Sequence, residues 1–466
     1  MSRTLTIDPV TRIEGHAQVH IDIGDDGKIG AATLHVLEFR GFERFLQGMQ
    51  AELMPTITTR ICGTCPHAHH LVAAKALDAM FSAAPPPAAL LLRQLLNCGS
   101  MIHSHAIHFF ALAGPDIFLG VGSPVGKRNL IGLLEAAPEL AKKALRLRSI
   151  GQMLVEIVGG RGTHPVTAVA GGMSCALTQE SHATLKALAA EALELGKVVL
   201  DAGKKALQKD PAMLARLPLA ANDMGTLRGN ALDLYDGKLR VRRPDGRVLL
   251  DFNSVDYAQH LVEEALPHSY GKQVLLKVGG GTQPYRVGPL ARLNCAEVTG
   301  TPLADAALVE WKAACGNPSK LVVAGHWARL VELLHCAEKA VAMLDDPAIL
   351  SSEVRTAPGA LQRHAVAHVE APRGVLIHDY TVDGNALIVS ANFVVATQHN
   401  IASINTTIKD AATSLLGKSD SELLDGVEFA IRCYDPCLSC STHRVGQMPL
   451  EVSLWQDGRN LRTARR

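Results

Sequence analysis

Apolar residues along this chain recur mostly at spacings of three and four and only briefly at spacing two, which predicts a mainly α protein with small peripheral β-sheets, an α+β arrangement. Helical spacing covers residues 41–53, 67–81, 88–112, 130–158 and 179–207, and the stretches 88–112 and 130–158 are long enough to form the body of a bundle. Helices return over 301–344, and a last helix follows Thr397. Strict alternation over 16–36 about Gly24-Asp25-Asp26-Gly27 predicts a hairpin, as does 374–397 about Asp383-Gly384. A further β segment spans 232–252, with turns at Asp236-Gly237 and Asp245-Gly246. Ala84-Pro85-Pro86-Pro87 is a stiff loop before a helix, and no internal repeat or low-complexity tract interrupts the pattern.

The 466 residues exceed the size at which a single core usually stops growing, yet no linker is visible, so one large domain or two intimately packed ones are both compatible with the chain. Lys plus Arg number 46 and Asp plus Glu 45, so no charge field points to nucleic acid or to an anionic membrane. The start, MSRTLTIDPVTRIEG, carries charges where a signal peptide needs an apolar run, and no stretch approaches the roughly 18 apolar residues of a membrane helix. A cytoplasmic protein without direct membrane insertion is the expectation.

Ten cysteines are too few for a disulfide scaffold at this length. Six of them, Cys98, Cys175, Cys295, Cys315, Cys336 and Cys433, show no pairing rhythm and are expected to be small buried apolar residues. The other four form two Cys-x-x-Cys pairs at opposite ends of the chain, Cys62/Cys65 and Cys437/Cys440. Soft sulfur selects zinc, copper(I), nickel or iron over hard cations, and a helix N-terminus favours the thiolate. A zinc ribbon keeps its pairs roughly 15 to 20 residues apart, whereas nearly the whole chain intervenes here. The spacing alone leaves a structural zinc site, a pair of redox dithiols and a catalytic metal open. It requires that the fold close on itself if the four sulfurs are to share one ion.

Around the pairs the chain reads Arg60-Ile-Cys62-Gly-Thr-Cys65-Pro-His-Ala-His69 and Asp435-Pro-Cys437-Leu-Ser-Cys440-Ser-Thr-His443. With Arg12-Ile-Glu14-Gly-His16, Arg40-Gly-Phe-Glu43 and Ala371-Pro372-Arg373-Gly374, these strings resemble the large, catalytic subunit of nickel-iron hydrogenases from end to end. The resemblance implies a helical bundle whose terminal segments meet at the metal centre. It puts nickel on all four sulfurs, with Cys65 and Cys440 bridging to an iron that carries CO and cyanide. Cys437 would accept the proton from H2 and Glu14 would relay it. Arg373 would overhang the cyanides and is a possible second base, oriented by Asp435. Thr397 would hydrogen-bond a cyanide nitrogen, and His69 would donate to a bridging sulfur. A second metal, magnesium or iron, would sit on Glu43, His443 and the carbonyl of Phe393. Outside the motif set, Glu14 and Arg373 would read as ordinary surface charges, and His67, His70, His103, His105 and His108 are expected to be structural.

Two positions depart from the better-known uptake members: Ser104 stands where they carry Asp, between His103 and His105, and Ala396 where they carry Pro. These departures and the Cys-Leu-Ser-Cys-Ser-Thr-His-Arg-Val-Gly-Gln-Met-Pro ending look more like the cytoplasmic bidirectional enzymes coupled to NAD(P). On this resemblance residues 1–443 form the large-subunit domain and 444–466 an extension removed on maturation, which implies a maturation endopeptidase and nickel-insertion proteins. No further cysteine spacing suits an iron-sulfur cluster, and no Gly-rich nucleotide loop stands out. Diaphorase subunits and an iron-sulfur small subunit are therefore expected partners. The competing readings are an H2-sensing regulatory subunit, an electron-transfer scaffold related to the quinone-site subunit of respiratory complex I, and a structural zinc protein.

Overall fold

The computed structural model describes residues 3–442, 451–456 and 459–465. Among the described residues, eight helices run thirteen residues or longer: α1 (Pro66–Met80), α2 (Pro87–Ile107), α3 (Pro138–Gly159), α4 (Gln179–Lys209), α5 (Pro302–Cys315), α6 (Ala324–Asp345), α7 (Ala396–Ser414) and α8 (Asp420–Arg432). The body is a bundle in which α2, α3, α4 and α6 pack on one another. A Cβ on Gly151 would stand 2.5 Å from the His103 backbone nitrogen, so α2 and α3 can cross this closely only at glycine. α6 is buried along most of its length and carries His326, Arg329, Glu332 and His335 into the interior.

Helical spacing overestimates continuity where backbone chemistry forbids it. The stretch 41–53 is not one helix: Phe42–Phe45 ends before Gly48, which takes φ +82°, and Ala51 to Ile61 follows as three short turns. Residues 130–158 divide into Leu130–Ala136 and α3, because Pro138 brings no N–H to bond back and crowds the preceding turn. Residues 301–344, by contrast, hold more than one helix as expected, α5 and α6, separated at Gly316-Asn317-Pro318 with Gly316 at φ +95°. α2 stops at Ile107 and widens into a π-helical turn, His108–Ala113, ahead of Gly114-Pro115.

The sheets are small, as expected, but each contains a strand the alternation did not reveal. Arg3–Ile7 adds to the hairpin Ala17–Ile23 and Ile29–Val36. The 232–252 segment belongs to a five-stranded sheet centred on Asn222–Arg228, and Leu261–Ala265 opens a separate three-stranded sheet. His364–Ala371 pairs with Gly374–Val382, which pairs in turn with Ile388–Val394. The last of these hairpins stops at Val394, so Thr397 lies in the first turn of α7 rather than on a strand. α1 packs on this sheet, and α7 packs on α8 and on the N-terminal sheet. The terminal strands Glu451–Gln456 and Arg459–Arg465 pair with each other. Five of the six unpaired cysteines are buried as expected, but Cys175 is exposed, in the loop between Gly172–Met173 and α4. No helix among the described residues is long and apolar enough to cross a membrane.

Burial holds several histidines neutral. His70 and His335 are lowered from 6.5 to about 4, and His368 and His399 to about 3, in each case chiefly by desolvation. Their unfolded counterparts take up protons first as pH falls, so the stabilisation is complete above about pH 6.5 and is lost progressively towards pH 4. Thermal unfolding followed from pH 8 to 4 should show a falling midpoint that begins near pH 6.5; a midpoint flat to pH 4.5 would contradict this.

Candidate metal centre

The two chain ends meet in a short parallel bridge between Glu14 and Cys437. Leu438 N–H donates to the Glu14 carbonyl at 3.1 Å and Ser439 N–H to the Glu14 carboxylate at 3.0 Å. Gly15 makes the approach possible: it sits at φ +78°, and a Cβ there would lie 2.8 Å from Leu438 Cβ. A buried carboxylate fastens the same junction. Asp116, just beyond the π-helical turn, accepts from Arg12 Nη2 at 2.5 Å and from Arg432 Nη1 at 2.7 Å. Arg12 also donates to the Leu112 carbonyl, and Thr11 N–H to Glu428 on α8, both at 2.7 Å.

This closure brings all four sulfurs together. Cys62 ends the turn Thr58–Ile61 in extended conformation, and Cys65 stands at the N-terminus of α1, ahead of Pro66. Cys437 stands at the N-cap of the short helix Leu438–Ser441, and Cys440 lies within it. The four sulfur atoms lie within 4.8 Å of one another, with Cys62 and Cys437 3.3 Å apart and Cys65 and Cys440 3.1 Å apart. All four side chains are buried. The Thr64 hydroxyl stands 3.1 Å from Cys62 Sγ and 3.8 Å from Cys437 Sγ. In the protein alone, burial pushes the Cys437 and Cys440 thiols well above the ordinary thiol range, so a metal must displace protons as it binds. Soft donors converging in a dry site suit nickel, iron or zinc.

Beside Cys65, Cys437 and Cys440 lies a small, mostly apolar cavity whose walls include Pro372, Arg373, Leu376 and Thr397. Arg373 occupies a two-residue turn, because Ala371 pairs directly with Gly374. That turn is anchored from behind. Arg292 donates to the Ala371 and Pro372 carbonyls at 2.9 and 3.1 Å, and its charge is matched by buried Glu332 and Glu370 at 2.6 and 2.7 Å. Arg373 Nη2 donates to Asp435 at 2.9 Å and Nη1 to the Ser104 hydroxyl at 3.4 Å. Asp435, at φ +52°, also lies 2.9 Å from His108 Nδ1. Burial disfavours both charges, yet Arg373 and His108 hold the Asp435 carboxyl well below its usual range, and Asp435 with the thiolates keeps Arg373 charged. Thr397 Oγ1 accepts from Cys437 N–H at 2.9 Å.

His69 Nε2 lies 3.5 Å from Cys440 Sγ, and its Nδ1 lies 3.0 Å from His378 Nε2. His378 Nδ1 is in turn 2.7 Å from Tyr380 Oη, so the bridging-sulfur candidate faces a buried chain of rings. Phe393 pairs with His378 across the sheet, and the helix Phe42–Phe45, which carries Glu43, packs on the Phe393 strand. His443 lies outside the described residues.

The family described as nickel-dependent hydrogenase matches residues 40–122 and 281–443, and a HoxL-like family matches residues 4–39. The chain belongs to the nickel-dependent hydrogenases. It is 37% identical over 470 residues to one subunit of the F420-non-reducing hydrogenase vhc of Methanococcus voltae, covering 98% of this chain and 99% of the relative. It is 38% identical to the NAD-reducing hydrogenase HoxS subunit beta of Cupriavidus necator over 479 residues, covering 98% of each. A crystal structure of an NAD+-reducing [NiFe]-hydrogenase in the H2-reduced state superposes with a TM-score of 0.91 at 38% identity, over 95% of this chain and 99% of that one. This hydrogenase is thus the catalytic, H2-cleaving subunit type.

Sequence reasoning missed several members of the hydrogenase site. His108 joins Asp435, Thr64 lies among the thiols, His378 and Tyr380 extend His69, and Arg12 with Asp116 clamps the closure. Thr64 and Arg12 stand inside motif strings and were available there; the others reach the site only through pairing and helix packing. Substituting Gly15→Ala should force Glu14 and Leu438 apart. Nickel content of the purified protein should fall severalfold while the helical content is kept; full nickel occupancy in the variant would show that the contact is dispensable.

Proposed function

We propose that this hydrogenase subunit cleaves H2 heterolytically and reversibly at a nickel and an iron held by the four thiolates, and that the electrons leave through an iron-sulfur small subunit to NAD(P)+. The observation that carries the reading is the buried cluster of four sulfurs within 4.8 Å, drawn from both chain ends. When bound, the metal pair supplies the soft Lewis acidity that polarises H2, an apolar molecule and a very weak acid.

The chain's own residues divide the remaining work. Cys62, Cys65, Cys437 and Cys440 would hold the nickel, with Cys65 and Cys440 also serving an iron whose CO and cyanide ligands would keep it a soft acceptor. Cys437 is the proton acceptor, and Glu14 is its outlet because the backbone bridge sets the two side by side. Arg373 is held charged by Asp435, which suits a hydrogen-bond donor facing the cyanides better than a second base. Thr397 presents its hydroxyl at the same cavity, and His69 donates to the Cys440 sulfur. Burial of the four cysteines, Arg373, Asp435, Thr397 and His69 excludes water and strengthens these interactions, while Glu14 is half-buried at the edge of the site.

Glu43, His443 and the Phe393 carbonyl would hold a second cation, magnesium or iron, the carboxylate and carbonyl oxygens suiting a hard ion. Those ligands would thereby pin the arm that carries Cys437 and Cys440. Residues 444–466 are removed after His443 by an endopeptidase once nickel-insertion proteins have acted, and diaphorase subunits complete a cytoplasmic enzyme. NAD(P)+ as acceptor rests on likeness to NAD-reducing relatives at 38% identity, against F420-non-reducing relatives at 37 to 40%.

Glu14→Gln keeps an acceptor for Ser439 N–H but cannot carry a proton outward. The variant complex should keep its carbonyl and cyanide infrared bands and lose H2/D2O exchange by roughly a hundredfold or more, the scale of general acid–base catalysis. Exchange at the unsubstituted rate would overturn the proton route.

A further inference from the structure

Arg329, on α6, is 2% exposed, and no described carboxylate pairs with it. Its Nη2 donates to the Cys433 carbonyl at 2.9 Å, while Nε and Nη1 meet no acceptor among the described residues. A guanidinium cannot shed its charge, and a buried charge without a partner is among the costliest features a fold can carry. Asp435 acts on Arg329 only from beyond ion-pair distance and is already engaged by Arg373 and His108.

Arg329 lines a small cavity together with Arg286, Gly325, Leu290, Cys433 and Tyr434. Arg286 gives Nε and Nη2 to Asp223 at 2.9 and 3.1 Å, and its Nη1 also lacks an acceptor. The Tyr434 hydroxyl turns to Thr407 at 2.7 Å, and no carboxylate lines the cavity. Val322 and Gly325 on the wall place the start of α6, the positive end of a 22-residue helix, against the same space. Two buried arginines with three guanidinium nitrogens that lack an acceptor, and a helix N-terminus, thus line one void.

We propose that this cavity is a site for a single monatomic monovalent anion, chloride in solution, held by Arg329 Nε and Nη1 and by Arg286 Nη1. The space is small, which favours a monatomic ion over a tetrahedral oxyanion. The bound ion supplies the counter-charge that Arg329 lacks. Because Arg329 also interacts with Asp435 and Arg373, the ion sets part of the field around that pair. This assignment stands apart from the metal chemistry proposed above and does not depend on it.

Bromide tests the site directly. Crystals of the complex soaked in sodium bromide should give an anomalous peak between Arg286 and Arg329 that sulfate does not displace. Gly325→Ala removes the room without a clash, since its Cβ would stand 3.6 Å from Arg329 Nη1, from the Cys433 carbonyl and from Leu290 Cβ, ordinary contact distances. That variant should show no peak. At constant ionic strength the unsubstituted complex should unfold at a higher temperature in chloride than in gluconate, and Gly325→Ala at the same temperature in both. Water without anomalous signal in the cavity, bromide retained in the variant, or equal unfolding temperatures of the unsubstituted complex in the two salts would each overturn the assignment.

Discussion

Glu14 and Ser439, 425 positions apart, are joined by a hydrogen bond, and the arrangement of the metal centre depends on that junction. Two cysteine pairs on separate arms can share an ion only if the arms are held in register. Gly15 permits the approach, the backbone bridge fixes it, and Asp116 ties Arg12 to Arg432 behind it. Ordering long-separated segments carries a large entropic cost, so the closure needs this dense set of buried, charge-assisted contacts in addition to apolar packing.

The second arm of the site is built on the same principle. A two-residue turn presenting Arg373 would be mobile if left alone. Arg292 holds its carbonyls, Glu332 and Glu370 neutralise Arg292, and His105 and Thr226 complete the shell at 3.0 and 2.9 Å. Buried ion pairs of this kind add little net stability relative to apolar packing, but removing one partner strands the other charge, typically at about 3–5 kcal/mol. They therefore specify one arrangement, and the groups facing the thiolates inherit that rigidity.

How far the fold was legible varies with the physics involved. The bundle helices could be read because their spacing is strong and their capping residues are local. Pro138 and Gly48 broke two predicted helices by effects that are also local, so those breaks were readable and went unread. The strands Asn222–Arg228 and His364–Ala371 are buried on both faces or nearly so, which erases the alternation that marks a half-exposed strand. The four cysteines were legible as ligands through residue type, but their convergence could be inferred only from family likeness. His108, His378 and Tyr380 were not legible in this way: a buried histidine looks the same in sequence whether it fills a core or faces a site, and only tertiary pairing separates the two.

The account rests on sulfur from both termini entering one coordination sphere. Metal analysis combined with X-ray absorption at the nickel edge, on the purified complex, measures this most directly. It should find nickel with four sulfur neighbours, reduced by one on replacing any of Cys62, Cys65, Cys437 or Cys440. Zinc in place of nickel, or nickel bound by two sulfurs with nitrogen or oxygen completing the shell, would contradict the account.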